Sequence, residues 1–226
     1  MPPGRNPIFC YVTDRKALAA SRASFVSLTG LPASEVTKLL GECIRRVVRQ
    51  GWEHKWIQIR EKDMEGRALV ELARFAVREA HSASAKVLIN GRLDVALAAN
   101  AAGIHLGEES LPLEAVAAWR RSAGRPDFMI GVSTHSLEAA RAAERGGADY
   151  IFFGPVFATP SKLEYGAPQG IERLREVCAA VTIPVLAIGG VTYENMLVCL
   201  EAGARGVAAI RWFQDDARTG VTNRAQ

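Results

Sequence analysis

Eight short apolar runs spaced along 226 residues predict a (β/α)₈ TIM barrel. Three observations carry that prediction. The runs alternate strictly with longer stretches of helical period, which marks parallel βαβ units. They are apolar at nearly every position, as strands covered on both faces must be. The joints leading from a helix back to a strand also repeat a glycine, in NAAGIHLG, GGADYIFFG and AGARGVAAI, where a helix has to end before a strand begins.

The first strand is expected at Ile8–Thr13. A long polar connection, Ser21–Ser34, follows it; a lid and a loose loop are both open readings. A helix is expected over Ser34–Arg49, where Val36, Leu39, Leu40, Cys43, Ile44 and Val47 share one face. Strand two is Trp56–Arg60, with a helix over Arg67–Ala80; strand three is Lys86–Asn90, with a short helix at Leu93–Ala99. Gly103–Leu106 and Phe128–Ser133 are strands four and five, trailed by helices at Leu113–Arg121 and Ser136–Arg145. Tyr150–Phe153 and Pro184–Ile188 are strands six and seven, with helices at Ile171–Ala180 and Tyr193–Glu201. Gly206–Ile210 is the last strand. The remainder, Arg211–Gln226, has no apolar stripe, so the eighth helix is expected to be short or missing. A second copy in a homo-oligomer is one way to cover that gap.

Composition sets the limits. With 49% hydrophobic residues the chain can build one sizeable core, expected as a single domain over 1–226 with its barrel at about 8–211. Disorder of the whole chain is excluded on the same ground. The net charge of +4 suits a small anionic ligand, and no Lys/Arg block or aromatic basic stripe argues for nucleic acid. Cys10, Cys43, Cys178 and Cys199 have no C-x-x-C spacing and no histidine at ligand spacing, so reduced, buried thiols and no metal centre are expected. The opening MPPGRNP has no apolar core of a signal peptide, and no stretch reaches the roughly 20 apolar residues of a membrane span. A cytoplasmic protein without a membrane partner is the expectation.

In a barrel the loops at the C-terminal strand ends build the site. Polar residues gather at those ends: Thr13, Asp14 and Arg15; Gln58, Arg60, Glu61 and Lys62; Asn90 and Arg92; His105; Ser133 and His135; Thr192; Arg211. Gln58, Arg60 and Lys62 alternate, so an extended strand would turn all three to one side, where two cations and an amide suit a phosphate or carboxylate. An ion-pair network with Asp14 or Glu61 is the other reading. Gly189 and Gly190 close strand seven and open a helix, an arrangement that brings backbone N–H groups to a phosphate or simply makes a tight turn. His135 stands where strand five hands over to a helix, beside the N-cap candidate Ser136. His105 is expected to be structural, and His54 and His81 to lie on the surface.

Seven segments carry a resemblance: VTDR at Val12–Arg15, QIREK at Gln58–Lys62, LINGRLDVALA at Leu88–Ala98, GIHLG at Gly103–Gly107, GVSTHSLEAA at Gly131–Ala140, GADYIFFGPVFATPSK at Gly147–Lys162 and PVLAIGGVT at Pro184–Thr192. In this order they resemble the thiamine phosphate synthase and thiazole tautomerase family from about Ile8 to Ile210. The resemblance implies a barrel enzyme of thiamine biosynthesis acting on a phosphorylated thiazole. It also implies that Asn90, Ser133, Thr159, Ser161 and Lys162 line the site or hold phosphate, that Lys162 is a loop cation closing over the ligand, and that Gly189 and Gly190 hold the thiazole phosphate.

The family has two branches. The synthase joins a thiazole phosphate to a pyrimidine methyl pyrophosphate and needs magnesium, held by an aspartate after the strand-three asparagine and another after strand four. The tautomerase aromatises a carboxythiazole phosphate with a histidine acid/base and no metal. Here the two metal positions are Gly91 and Ser110, with Glu108 and Glu109 close by. A glycine offers no ligand and a serine only a neutral hydroxyl, whereas magnesium wants near-octahedral oxygen. His135 falls at the tautomerase histidine, and imidazole, with a pKa near 6.5, can both take and give a proton at neutral pH. The expectation is therefore a metal-independent tautomerase with no cofactor. A synthase with an altered magnesium site and a silent precursor-binding barrel are the alternatives. After strand eight the family has small residues beside the phosphate; here Arg211 would strengthen that site or Trp212 would fill it.

Overall fold

The computed structural model describes residues 6–23, 33–107, 109–159 and 167–215. Eight parallel strands close in sequence order: β1 (Ile8–Val12), β2 (His54–Ile59), β3 (Lys86–Asn90), β4 (Gly103–Leu106), β5 (Met129–Thr134), β6 (Tyr150–Phe153), β7 (Val185–Ile188) and β8 (Gly206–Ala209). The register that closes the ring sets Cys10 of β1 between Trp56 of β2 and Ala208 of β8. The helices are α1 (Arg15–Ala23), α2 (Ala33–Val48), α3 (Gly66–His81), α4 (Leu93–Ala98), α5 (Leu113–Ser122), α6 (Leu137–Arg145), α7 (Gly170–Ala180), α8 (Met196–Glu201) and α9 (Arg211–Gln214).

Strand alternation divides the core in two. Ile8, Cys10, Val12, Trp56, Leu88, Tyr150, Phe152, Leu186 and Ala208 fill the barrel. Phe9, Tyr11, Ile57, Ile89, Ile104 and Phe153 point outward and pack with the helices. The two largest inner side chains are accommodated by a missing one: a Cβ at Gly131 would lie 2.0 Å from Cζ of Tyr150. Trp56 meets that tyrosine edge-on at 4.8 Å between ring centres. The four cysteines form no disulfide: Cys10, Cys43 and Cys199 are buried and Cys178 is half-buried.

The structure corrects the sequence reading at α1. No helix is expected between strand one and residue 34, yet Arg15–Ala23 is helical, so the first three residues of the supposed polar connection belong to it. The cause is a cap: Asp14 Oδ1 accepts the Ala17 N–H at 2.9 Å and the Asp14 carbonyl accepts that of Leu18 at 3.1 Å. Residues 24–32 of the connection lie outside the described residues.

The eighth helix is reduced to the single turn α9, as expected. The turn nevertheless covers the barrel. Trp212 stacks on Phe213 at 4.8 Å and meets Phe9 edge-on at 6.0 Å, while Phe213 packs on Tyr11 at 5.7 Å. Polar bonds pin it in place: Arg46 of α2 donates to the Phe213 carbonyl at 3.0 Å, and Gln214 donates to Tyr11 Oη at 3.2 Å and to the Asp14 carbonyl at 2.9 Å. The cover for the gap thus comes from within the chain. Among the described residues, no helix is long and apolar enough to cross a membrane.

Candidate active site

The C-terminal ends of β2 to β5 bring a polar layer together above the apolar barrel filling. Gln58, Asn90, His105 and Ser133 all occupy inward positions. Gln58 is 2% exposed and donates to Asn90 Oδ1 at 2.9 Å; its own Oε1 is buried with no partner among the described residues. An orphan acceptor at the floor of a polar mouth is a place for a ligand donor. Register pairs Asn90 with His105 and Ser133 with Phe152. His105, 1% exposed, lies between Tyr150 Oη (3.0 Å from Nδ1) and Ser133 Oγ (2.9 Å from Nε2). Burial, and secondarily the positive charge of Arg60, lower the His105 pKa to about 3, so the ring is neutral.

The alternation expected for Gln58, Arg60 and Lys62 is cut short after its first member. β2 ends at Ile59, so only Gln58 is a strand position. Arg60 is half-buried, its N–H held by Thr13 Oγ1 at 2.9 Å and its guanidinium 3.9 Å from Asp14. Lys62 lies on the loop, exposed, 3.7 Å from Glu109. The ion-pair reading holds in a different form: the buried Glu61 takes Arg15, accepting its backbone N–H at 3.2 Å and its guanidinium at 3.1 Å. Burial raises the Glu61 carboxyl pKa, opposed by the Thr13 hydroxyl and by Arg15. Thr13, Asp14, Arg15 and Glu61 therefore fasten β1 and α1 to β2, and Arg60 keeps the expected pairing with Asp14.

His135 follows β5 directly and is half-buried. Its Nδ1–H donates to the carbonyl of Gly154, just beyond β6. In the neutral ring the lone pair then sits on Nε2. Ser136 caps α6, its hydroxyl accepting the Ala139 N–H at 3.1 Å, so the cap and the histidine are separate neighbours.

Gly189 and Gly190 have φ of +91° and +65°. A Cβ at Gly189 would lie 2.5 Å from Pro155 Cα, and one at Gly190 would lie 2.6 Å from the Ala158 carbonyl oxygen. The pair is more than a tight turn, because the segment after β6 lies directly on it; the Phe157 N–H donates to the Gly189 carbonyl at 3.0 Å. Thr159, half-exposed, follows Ala158 in that segment. Ser161 and Lys162 lie outside the described residues. Arg211 is exposed at the start of α9, and Trp212 is 6% exposed and turned outward, so it does not fill the mouth.

Magnesium does not fit the two positions at which the synthase branch holds it. Gly91 has φ +68° and no side chain, and a Cβ there would lie 3.1 Å from Ser110 Oγ. Ser110 is already engaged, accepting the Gly107 N–H at 2.9 Å. Glu109 is 92% exposed and paired with Lys62, and Glu108 lies outside the described residues. Among the described residues, no three His, Cys, Asp or Glu side chains gather as metal ligands.

Tyr150 is the residue of this layer that sequence reasoning misses, because it reads as one more apolar strand position. A tyrosine on the inward phase of β6, opposite an inward histidine, is the signal that identifies it.

The comparisons with known proteins agree with this architecture. The family model described as thiamine monophosphate synthase matches residues 28–213. A thiamine-phosphate synthase of Moorella thermoacetica is 46% identical over 68% of this chain and 71% of its own length. One of Chlorobium luteolum is 43% identical over 91% of this chain and 84% of its own. The solved structure of a thiamine phosphate pyrophosphorylase from Pyrococcus furiosus superposes with TM-score 0.74 at 30% identity, covering 95% of this chain and 91% of that one. A barrel of this register, bearing this polar layer and these relatives, belongs to the thiamine monophosphate synthase family of thiamine-biosynthetic enzymes.

Proposed function

We propose that this chain aromatises a carboxythiazole phosphate by metal-independent proton transfer, with His135 as acid and base. The observation that carries the reading is the pair Gly91–Ser110, which offers no carboxylate at the positions where the other branch holds magnesium, the serine hydroxyl being engaged by the Gly107 N–H. The bond from His135 Nδ1–H to the Gly154 carbonyl supports it, since it fixes the ring at the end of β5, where it would take a proton from the substrate and return one at a second atom, with no net change in protons. The Gly189–Gly190 turn and the segment lying on it would hold the phosphate, with Thr159, Ser161, Lys162 and Arg211 around it. Gln58 Oε1, Asn90, Arg60, Ser133 and Lys62 would face the rest of the ligand.

A second reading has its own support. The relatives are named thiamine-phosphate synthases at up to 46% identity among those given above, and these names favour transfer of the pyrimidine group over tautomerisation. One experiment separates the two. Purified protein is given the carboxythiazole phosphate in chelator, and separately thiazole phosphate and pyrimidine methyl pyrophosphate with magnesium. Aromatisation in chelator supports the first reading; magnesium-dependent pyrophosphate release overturns it in favour of the second.

A further inference from the structure

The polar layer contains a buried relay whose donors and acceptors can be assigned one by one. Tyr150 is 0% exposed and its hydroxyl has one hydrogen-bond partner among the described residues, His105 Nδ1 at 3.0 Å. His105 Nε2 meets Ser133 Oγ at 2.9 Å, and Ser133 is half-exposed at the barrel mouth. With the ring neutral, one imidazole proton, one phenol proton and one serine proton must be placed. If Nδ1 carried the proton, the tyrosine hydroxyl would accept it and its own hydrogen would be buried without an acceptor, at the full desolvation cost of that donor. If Nε2 carries it, every buried donor is satisfied. Tyr150 donates to Nδ1, Nε2–H donates to Ser133 Oγ, and the serine hydrogen is turned toward the mouth.

We infer that Tyr150 and His105 are positioning residues that fix the imidazole tautomer and thereby make Ser133 an oriented hydrogen-bond donor to an anionic oxygen of the ligand. The barrel is built to hold this line. Gly131 leaves the volume into which the Tyr150 ring projects, its absent Cβ lying 2.3 Å from Oη. Phe152 and Tyr150 flank the imidazole at 4.2 Å and 5.6 Å between ring centres. Arg60 is the charged group acting on the ring, and it disfavours a second proton there. With one lone pair taken from behind by Nε2–H, the serine keeps its hydrogen for an acceptor at the mouth, such as a phosphate or carboxylate oxygen. The assignment of that acceptor to the ligand rests on the reading of the mouth as a thiazole phosphate site; the tautomer does not.

Two measurements test the relay separately from that reading. The first is long-range ¹H–¹⁵N correlation of histidine-labelled, ligand-free protein. His105 is expected to carry its proton on Nε2, and a proton on Nδ1 overturns the relay whatever the protein binds. The second is calorimetric titration with thiazole phosphate. Tyr150→Phe, which keeps the ring and removes the donor, is expected to weaken binding about 5-fold, the size of one neutral hydrogen bond. Ser133→Ala is expected to weaken it at least as much, and the double variant no more than Ser133→Ala alone. Additive losses, or a Tyr150→Phe variant that keeps full affinity, overturn the coupling. Should wild type fail to bind thiazole phosphate, the functional reading falls, and the labelled-histidine spectrum still decides the tautomer.

Discussion

A side chain at position 91 would begin 3.1 Å from the hydroxyl of Ser110, on a backbone with φ +68°. The two departures from the metal-binding pattern are therefore neighbours in space: a side chain at position 91 would press on the Ser110 hydroxyl. Gly91→Asp alone is expected to destabilise the fold by about 1–3 kcal/mol, the cost of a non-glycine residue held in the left-handed region. Magnesium is not expected to recover the loss. Thermal melts with and without magnesium check this; a magnesium-dependent rise in Tm would show that the position accepts a ligand as it stands.

His135→Ala is expected to lower kcat for aromatisation by about a hundredfold or more, the usual contribution of a positioned general acid/base. The circular dichroism spectrum and Tm should stay close to wild type, since the ring is half-buried and outside the core. Full activity in this variant would remove the histidine from the mechanism.

Trp212→Ala is expected to cost about 3–5 kcal/mol of stability, because it opens a cavity among Phe9, Trp52 and Phe213. The KM for the phosphorylated thiazole should barely change in the folded variant. A large rise in KM with little loss of stability would mean that Trp212 faces the ligand instead of the outer core.

Gly190→Ala should behave the other way. Its methyl group would meet the Ala158 carbonyl oxygen at 2.6 Å and Phe157 Cβ at 2.7 Å, pushing the segment after β6 off the glycine turn. A loss of thiazole phosphate affinity of about tenfold or more is expected by titration, on the premise that this turn holds the phosphate. Unchanged affinity would place the phosphate elsewhere.

His105 gives the stability a defined pH dependence. Burial and the Arg60 charge depress its pKa from the usual 6.5 to about 3 in the fold. Between those values the unfolded chain binds the extra proton. The contribution is thus complete above about pH 6.5 and is lost as pH falls toward about 3, with a slope of at most ~1.4 kcal/mol per pH unit. Urea melts at neutral and mildly acid pH should show wild type losing more stability than His105→Asn, which has no such proton to bind. Equal losses in both would separate the acid sensitivity from this imidazole.

Much of this molecule can be read from residue order. The strands at Lys86–Asn90, Gly103–Leu106 and Tyr150–Phe153 fall where the apolar runs predict them, because a strand covered on both faces leaves no polar position to blur its ends. The short or missing eighth helix is legible for the opposite reason, the absence of an apolar stripe after Ile210. Helix α1 is not read, although Asp14 stands in the sequence as a possible cap. An aspartate after a strand in a barrel serves equally as a catalytic group, and only the bonds to the Ala17 and Leu18 N–H groups decide between them. The side on which Lys62 lies is not legible in the sequence, because strand periodicity predicts a side only as far as the strand lasts, and β2 stops at Ile59.

The sequence by itself determined the barrel and the end of it that bears the polar residues, which are properties of periodicity and of residue type at a given strand end. The family resemblance of its motifs singled out Gly91, Ser110 and His135. Only the tertiary structure decided that Gly91 lies against the Ser110 hydroxyl, that Trp212 faces the outer core, that Gly189 and Gly190 carry the weight of a neighbouring segment, and that Tyr150 reaches His105. Each of those depends on the distance between residues on different strands or loops. That distance is fixed by barrel closure and register, which bring together groups that sequence spacing keeps apart.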